Sequence, residues 1–456
     1  MLRASPLAIA ALGAAIAAQS VITSASTPLS IESPAKGLRL VGADVSTPPQ
    51  RVPLGEGELL QGLPGSGSLS AEELQKWLSN AANHAALQPV LPVGLDQGEL
   101  DRQGLKANPL TRAKIELGRQ LFFDPRLSID GTIRCASCHD PDHGFADPQR
   151  FSVGVRGQFG TRNTPTAANR LLSAAQFWDG RADSLEAQAI GPLANPTEMG
   201  FSHAAVVGLL EQVLGYRIQF ETIFAEGVTI ENAALALACF ERALVTGPTP
   251  WDHRARRSAF EVANADDLAA VADAAPEDLD ADDAELLADY GLLIRATEAM
   301  PLSAPALRGS KLFFGERGGC FQCHAGANFS DEQYHNLGIG LATINTNRRV
   351  EPLAANLETT IDWGRYTVTK NEADRGAFKT PTLRNVTQTP PYMHDGSLAT
   401  LNEVIEWYVG GGHRNPWQSE KIQPLDLSVD EQSDLVAFLE ALTGAWPQVE
   451  RGRLPE

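Results

Sequence analysis

Cys135-Ala-Ser-Cys138-His139 sets the architecture of this 456-residue chain, and the same pattern returns as Cys320-Phe-Gln-Cys323-His324. In each stretch, two thiols are followed at once by a histidine. This is the attachment pattern of c-type heme, in which the thiols bond to the heme vinyl groups and the histidine becomes the proximal iron ligand. A zinc site would not need a histidine after both cysteine pairs, and a thioredoxin-type pair expects a βαβ setting that is absent here. The sequence therefore predicts two covalently bound hemes.

The approaches to the two sites are also alike. Gly118-Arg-Gln-Leu-Phe-Phe123 precedes the first site, and Gly309-Ser-Lys-Leu-Phe-Phe314 precedes the second. One helix leading into one Cys-x-x-Cys-His, done twice, indicates two cytochrome c-like heme domains related by an internal repeat. Because strand signals are few, we predict a mainly α fold. The N-terminal domain is assigned to residues 105–255 and the C-terminal domain to residues 296–456.

The remaining segments have compositions of their own. Residues 1–26 begin with a positive charge, continue with an apolar run and end with small residues, as a secretory signal does. The run is shorter than the roughly 20 residues that span a bilayer, although an uncleaved anchor is the alternative. We therefore expect a periplasmic protein without a membrane span after signal removal. Residues 27–104 are predicted to be a poorly defined extension with one short helix, and residues 256–295 an acidic helical insert.

The net charge bears on the partners of the protein, and the fifth cysteine is expected to have a structural role. The net charge of −19 argues against nucleic acid as a partner, since nucleic acid needs a basic face. An acidic surface would suit a basic redox partner, but such a balance usually reflects solubility alone. Cys239 lies in a helical run outside the paired sites, where we expect it to be a small buried hydrophobe.

The residues between and after the two sites resemble the bacterial di-heme cytochrome c peroxidases and their MauG-like relatives. The resemblance covers roughly residues 108–445, interrupted by the acidic insert. The motifs that carry it are Arg162-Asn-Thr-Pro-Thr166, Phe177-Trp-Asp-Gly-Arg-Ala182, Glu186-Ala-Gln-Ala189, Asn195-Pro-Thr-Glu-Met-Gly200, Thr380-Pro-Thr-Leu-Arg-Asn385 and Thr389-Pro-Pro-Tyr-Met-His-Asp-Gly396.

This resemblance implies roles for four residues around the first heme. Trp178 falls on the family's tryptophan between the hemes, where an indole can relay an electron, although packing is its plain alternative. Gln188, Pro192 and Glu198 fall on the distal pocket. Glu198 would be the acid/base that moves the peroxide protons, and an apolar pocket would raise its pKa toward that task. The alternative for Glu198 is a charge that stabilises a helix N-terminus.

The resemblance also implies a calcium ion between the domains. Its ligands would be Asn163 through the side chain and Thr389 and Pro391 through their main-chain carbonyls. Such hard oxygen ligands suit Ca²⁺.

Two departures from the peroxidase pattern bear on the sixth position of each iron. Typical members close the first iron with a loop histidine, and the equivalent position here is Val155, which cannot ligate. The first heme is therefore expected to be open at rest, with His143 too tightly tethered to reach it. The second iron usually has a methionine, and the matching residue is Tyr408, on a helix begun by the capping box Thr400–Glu403. Packing is the alternative for Tyr408.

An open heme together with a His/Tyr heme is the MauG-like pattern. The hypothesis is that hydrogen peroxide reacts at the first heme, that oxidising equivalents are shared with the second through Trp178, and that a partner molecule is then oxidised. Two other functions remain open at this point. One is a cytochrome c peroxidase that removes peroxide with electrons from a small redox protein, and the other is a non-enzymatic electron carrier.

Overall fold

A computed structural model describes residues 50–55, 57–96, 102–275, 279–341 and 361–456. The expected signal peptide and the first part of the expected extension lie outside the described residues. The fold is mainly helical, as predicted. In the described ranges, no helix combines the length and the apolar character that crossing a membrane requires.

The helices of the described residues are, in chain order, α1 Ala71–Leu78, α2 Arg102–Ala107, α3 Arg112–Phe123, α4 Cys135–Cys138, α5 Leu185–Ala194, α6 His203–Gln212, α7 Leu214–Ile223, α8 Ile230–Ala243, α9 Pro250–Ala263, α10 Ala265–Val271, α11 Ala281–Ala299, α12 Ala304–Phe313, α13 Tyr366–Thr369, α14 Leu401–Val409 and α15 Val429–Glu440. The strands form two short pairs. Strand β1 Gln50–Pro53 runs parallel to β2 Leu87–Val90, and β3 Tyr334–His335 runs antiparallel to β4 Phe378–Lys379.

Two helix pairs, α3 with α8 and α12 with α15, lead into the two Cys-x-x-Cys-His sites. In each pair a glycine of the first helix touches the backbone of the second. A Cβ atom on Gly118 would lie 2.0 Å from the carbonyl oxygen of Ala236, and one on Gly309 would lie 1.9 Å from that of Asp434. Since real Cβ atoms do not approach so closely, both glycines are required for the packing. The same contact thus holds the helix in front of each site.

Substitution of Gly118 by alanine is expected to destabilise the protein by about 1–3 kcal/mol, because the added methyl group pushes α3 away from α8. Gly208→Ala is the matched control, since Gly208 also lies in a helix but a Cβ there meets nothing within 4 Å. That control should be neutral or slightly stabilising, because alanine favours the helix. Urea unfolding of the two variants measures the difference, and equal stabilities would contradict the packing described here.

The two halves of the chain exchange backbone hydrogen bonds. The Asn163 N–H donates to the His394 carbonyl over 2.8 Å, and the Lys379 N–H donates to the Trp178 carbonyl over 2.7 Å. Trp178 belongs to residues 176–182, a short hairpin closed by an isolated antiparallel bridge and called the partition hairpin below. Because Asn163 and Lys379 each precede a Thr-Pro-Thr sequence, corresponding segments make corresponding contacts across the interface.

Residues 50–96 of the expected extension contain more structure than the single short helix that the sequence predicted. They hold β1, β2 and α1, and they lie against the C-terminal tail, residues 450–456. The buried Arg453 guanidinium donates to the Pro64 carbonyl over 2.6 Å and pairs with Glu73 over 2.9 Å. The Leu69 N–H donates to the Leu454 carbonyl over 2.9 Å. These contacts join segments that lie nearly the whole chain apart.

The expected acidic insert contains the end of α9, all of α10 and most of α11. Phe260 and Tyr290 stack between α9 and α11 with their ring centroids 6.0 Å apart. None of the residues of α11 is fully buried. The insert is therefore a helical addition with its own small contacts, and none of its described residues borders the cavities described below.

Candidate active site

The two Cys-x-x-Cys-His histidines are held in the same way. His139 Nδ1 lies 3.1 Å from the Phe145 carbonyl oxygen, and His324 Nδ1 lies 2.9 Å from that of Phe329. Both phenylalanines have a positive φ, 54° and 50°, which turns their carbonyls toward the imidazoles. When Nδ1–H donates to a carbonyl, the tautomer that results leaves Nε2 free to bind a metal. Each histidine is therefore prepared to act as an axial ligand.

The four cysteines beside these histidines form no disulfide. Burial raises the pKa of Cys138 to about 11 and that of Cys320 to about 12, and it also raises the pKa of Cys135 and Cys323. The thiols are consequently neutral at pH 7. Cys320 and Cys323 also border a mainly apolar cavity, where an uncharged thiol suits attachment to an organic group better than it suits a reactive thiolate.

One cavity of about 220 Å³, here called the His324 cavity, lies beside the second site. Its wall contains the cysteines and histidine of that site together with Tyr408, and it is otherwise mainly apolar. The wall includes Trp178, Asn163, Phe313, Cys320, Cys323, His324, Phe378, Leu383, Thr389, Pro391, Met393, Ile405, Tyr408 and Leu439. A mainly apolar wall that includes the two cysteines and the adjacent histidine of the attachment sequence matches what a covalently attached, flat apolar cofactor needs.

Tyr408 stands near the end of α14, whose first turn has the predicted capping box between Thr400 and Glu403. Its ring borders the His324 cavity rather than the hydrophobic core alone. Burial raises the pKa of the Tyr408 phenol above its ordinary value, with smaller contributions from Cys323 and Cys320. The side chain is therefore a neutral phenol, and a bound metal would have to displace its proton for it to become a phenolate ligand.

The expected calcium residues meet at the same wall. Asn163, Thr389 and Pro391 all border the His324 cavity, and the Asn163 side-chain amide donates to the Gln149 carbonyl over 3.2 Å. That donation leaves the Asn163 amide oxygen as the atom available for a cation. The three oxygens are neutral, which is compatible with Ca²⁺ but gives a weak site unless water or further carbonyls complete it.

A second cavity of about 400 Å³, here called the Glu198 cavity, lies on the other side of the partition hairpin. It is lined by Phe177, Gly180, Arg181, Ala182, Asp183, Ala187, Gly191, Pro192, Asn195 and Glu198. Two of the expected distal residues, Pro192 and Glu198, are thus brought together. The negative charge of Glu198 also contributes to the raised pKa of Cys135 and Cys138, so this cavity lies within electrostatic reach of the first site.

Glu198 lies in a turn after α5, and not at a helix N-terminus. Burial raises its pKa, while the positive charge of Arg181 and a hydrogen bond from the Asn195 side chain, 2.8 Å long, act in the opposite direction. A carboxyl group in such surroundings keeps its proton to a higher pH than an exposed one does, which suits an acid/base.

Gln188 lies one turn before Pro192 on α5. Its Oε1 atom is buried and has no hydrogen-bond partner among the described residues. A buried acceptor without a donor is unfavourable unless a bound molecule supplies the donor. Pro192 lacks an N–H group, so the Gln188 carbonyl also loses its partner within the helix. Gln188 does not border the Glu198 cavity, so the structure brings together only two of the three expected distal residues there.

Val155 does not point into the Glu198 cavity. Its side chain is buried, and its N–H donates to the Glu198 carbonyl over 2.8 Å, so the loop holds the backbone of Glu198 in place. A Cβ on Gly154 would lie 2.0 Å from the Thr197 carbonyl oxygen, which shows how closely this loop fits. His143 is half exposed and turned toward Asp140, 2.8 Å away. The lining of the cavity, within the ranges that the structure describes, contains no histidine.

The sequence reasoning missed Arg181, which borders the Glu198 cavity three residues after Trp178. Its position in the Phe177–Ala182 motif was the available signal. The sequence gives no indication, however, that Trp178 and Arg181 face different cavities. That arrangement depends on the positive φ angles of Phe177 and Gly180, 68° and 64°, which turn the hairpin tightly.

Comparison with known proteins places this site in a family. A family model described as di-haem cytochrome c peroxidase matches residues 112–259. The methylamine utilization protein MauG of Methylorubrum extorquens is 36% identical over 77% of this chain and 84% of its own length. The cytochrome c551 peroxidase of Nitrosomonas europaea is 34% identical over 85% of this chain and 94% of its own. A solved structure of a MauG-like protein associated with microbial copper homeostasis matches with a TM-score of 0.59 and 28% identity, over 74% of this chain and 91% of that one.

The protein is therefore a peroxidase-type oxidoreductase. More particularly, the chain belongs to the di-heme cytochrome c peroxidase and MauG family, which implies two heme cofactors. Its relatives carry both names, and so family membership alone does not distinguish a MauG-like role from peroxide removal.

Proposed function

We propose that this protein is a MauG-like di-heme enzyme, which uses hydrogen peroxide at an open first heme held by His139 and shares the oxidising equivalents with a second heme held by His324 and Tyr408. A partner molecule is then oxidised. The observation that carries this proposal is the wall of the His324 cavity, where a tyrosine and the second-site histidine border the same space.

A comparison of α5 with α14 supports a different sixth ligand position at each of the two irons. Tyr408 is the eighth residue of α14, which is capped by Thr400, and Pro192 is the eighth residue of α5, which is capped by Ser184. Together with the paired glycine contacts and the exchanged backbone hydrogen bonds, this supports two heme domains related by a repeat. Where the second domain has a phenol that can ligate, the first has a proline that cannot.

The heme bound at His139 would supply the iron to which peroxide binds and the electrons that break its O–O bond. The residues of the chain handle the protons. Glu198 takes a proton from one peroxide oxygen and returns it to the other, which leaves as water. Reduction of H2O2 by two electrons and two protons gives two water molecules. Gln188 accepts a hydrogen bond from the bound oxygen, and Pro192 shapes the wall.

The remaining assignments belong to the same proposal. The hemes are attached covalently at Cys135, Cys138, Cys320 and Cys323, and Ca²⁺ bound by Asn163, Thr389 and Pro391 stiffens the wall between the domains. The N-terminal domain covers residues 105–255 and the C-terminal domain residues 296–456, separated by the insert at residues 256–295. The protein acts in the periplasm after removal of residues 1–26.

The second candidate is a cytochrome c peroxidase that removes peroxide with electrons from a small redox protein. The relatives that are named cytochrome c551 peroxidase favour it. One experiment separates the candidates. The purified holoprotein should show one high-spin and one low-spin ferric heme, and peroxide should produce a near-infrared charge-resonance band with negligible turnover of reduced cytochrome c. Rapid oxidation of cytochrome c would support the peroxidase, and two low-spin hemes would rule out both.

Replacement of Tyr408 by methionine should remove the near-infrared band and raise the reduction potential of the low-spin heme, because a thioether stabilises reduced iron better than a phenolate does. Absorbance and potentiometric titration measure the two effects. Tyr392→Met is the matched control, since Tyr392 borders the same cavity but lies in a hairpin. Persistence of the band in Tyr408→Met, or its loss only in the control, would refute the assignment of Tyr408.

A further inference from the structure

The partition hairpin presents its side chains to two different cavities. Trp178 borders the His324 cavity, whereas Phe177, Gly180 and Arg181 border the Glu198 cavity. The hairpin therefore places an indole on one side and a guanidinium on the other, only three residues apart. The role proposed for Trp178 leaves the charge on the opposite side without a function.

Arg181 is fixed in place although its side chain is 43% exposed. Its Nη1 atom lies 3.0 and 3.2 Å from the two carboxylate oxygens of Asp179, and its guanidinium carbon lies 3.5 Å from the centroid of the Phe177 ring. A cation that is stacked on an aromatic face and held by a carboxylate loses little further freedom when it binds a ligand. Within the ranges that the structure describes, its Nε and Nη2 atoms have no acceptor.

The neighbouring charges leave Arg181 only partly neutralised. Asp179 also binds Arg162, whose Nη1 lies 2.7 Å from the Asp179 carboxylate. Arg162 has a second carboxylate in Asp362, 2.6 Å away, whereas Arg181 shares Asp179 and pairs with no other carboxylate among the described residues. A cation with two free donors at the wall of a solvent-connected cavity is a binding group for small anions.

We propose that Arg181 is the anion-binding group of the Glu198 cavity and that it holds the hydroperoxide anion and other small monovalent anions. The inference rests on the proposed function, since the cavity must serve an open iron. When Glu198 takes a proton from H2O2, the negative charge that remains on the hydroperoxide oxygens is offset by the Arg181 guanidinium. When the O–O bond breaks, the same donors stabilise the departing oxygen until it receives the proton from Glu198 and leaves as water.

Fluoride is the probe, because it binds ferric heme iron and is stabilised there by nearby hydrogen-bond donors. In the ferric holoprotein, Arg181→Gln should weaken fluoride binding by about 10- to 100-fold, as expected for loss of a charge-assisted hydrogen bond. Arg181→Lys keeps the charge and should lie between the wild type and Arg181→Gln. Imidazole, a neutral ligand, should bind all three proteins with similar affinity. Absorbance titration measures each constant.

Arg217→Gln is the matched control, because Arg217 is exposed on α7 and borders neither cavity. Unchanged fluoride affinity in Arg181→Gln would overturn the proposal, and so would a similar loss in Arg217→Gln, a parallel loss of imidazole affinity, or a lysine variant no better than the glutamine variant. A wild-type protein that binds neither fluoride nor imidazole would instead overturn the open first iron, and the anion site with it.

Discussion

Replacement of Glu198 by glutamine should slow the reaction of the holoprotein with hydrogen peroxide by about 10²–10⁴-fold, the usual contribution of a positioned acid/base. Glutamine keeps the size of the side chain and can still accept the hydrogen bond from Asn195, but it cannot take a proton. Stopped-flow absorbance under excess peroxide gives the second-order rate constant. Glu211→Gln, a change at an exposed position of α6, should leave the rate unchanged.

The rate of the peroxide reaction should also depend on pH. Only the ionised carboxylate can accept the peroxide proton, so the rate should rise with pH as Glu198 ionises. Because burial raises the pKa of Glu198 above its usual 4.5, the midpoint of this rise should lie above 4.5. In Glu198→Gln the rise should disappear. In Arg181→Gln it should move to higher pH, because a positive charge that favours the carboxylate has been removed. A rate in Glu198→Gln equal to that of the wild type would exclude Glu198 as the base.

Replacement of Trp178 by phenylalanine should leave peroxide reacting at the first heme but abolish the near-infrared band. The indole is the aromatic side chain of the partition hairpin that faces the His324 cavity, and its Nε1–H donates to the Asn163 carbonyl over 2.8 Å. Phenylalanine keeps an aromatic ring but lacks this donor and is harder to oxidise. The oxidising equivalents should therefore stay at the first site and decay there faster, as followed by rapid-scan absorbance.

Trp77→Phe provides the comparison for Trp178. Trp77 lies on α1, away from both cavities, and so its replacement should preserve the band. A band of full strength in Trp178→Phe would show that the two hemes communicate by another route. Loss of the peroxide reaction itself would indicate instead that the hairpin had moved, and the fluoride affinity of the variant would reveal that movement at Arg181.

Local chemistry explains which parts of the structure the sequence could predict. The capping box of Thr400 and Glu403 starts α14 as predicted. Cys239 is fully buried, as its helical surroundings indicated. Such features depend on residues a few positions apart, so they can be read from the chain alone. The family motifs likewise brought Pro192 and Glu198 to one cavity.

The features that the sequence could not predict depend on distant partners. Nothing near Leu69 indicates that its partner is Leu454, and nothing near Arg453 indicates that residues 63–68 supply its carbonyl acceptors. The sequence also does not reveal that the partition hairpin presents side chains to two cavities. That arrangement depends on backbone angles and on the ion pairs of Arg162 with Asp179 and Asp362. The correspondence of Pro192 with Tyr408 depends on where α5 and α14 begin, because each is the eighth residue of its helix.

The contact between the early residues 63–73 and the C-terminal tail has a consequence for biogenesis. Synthesis proceeds from the N-terminus, so residues 450–456 are made after both Cys-x-x-Cys-His sites. Until then Arg453 cannot reach Pro64 or Glu73, and residues 63–73 lack these contacts. This contact therefore closes late in folding, after both Cys-x-x-Cys-His sites have been made.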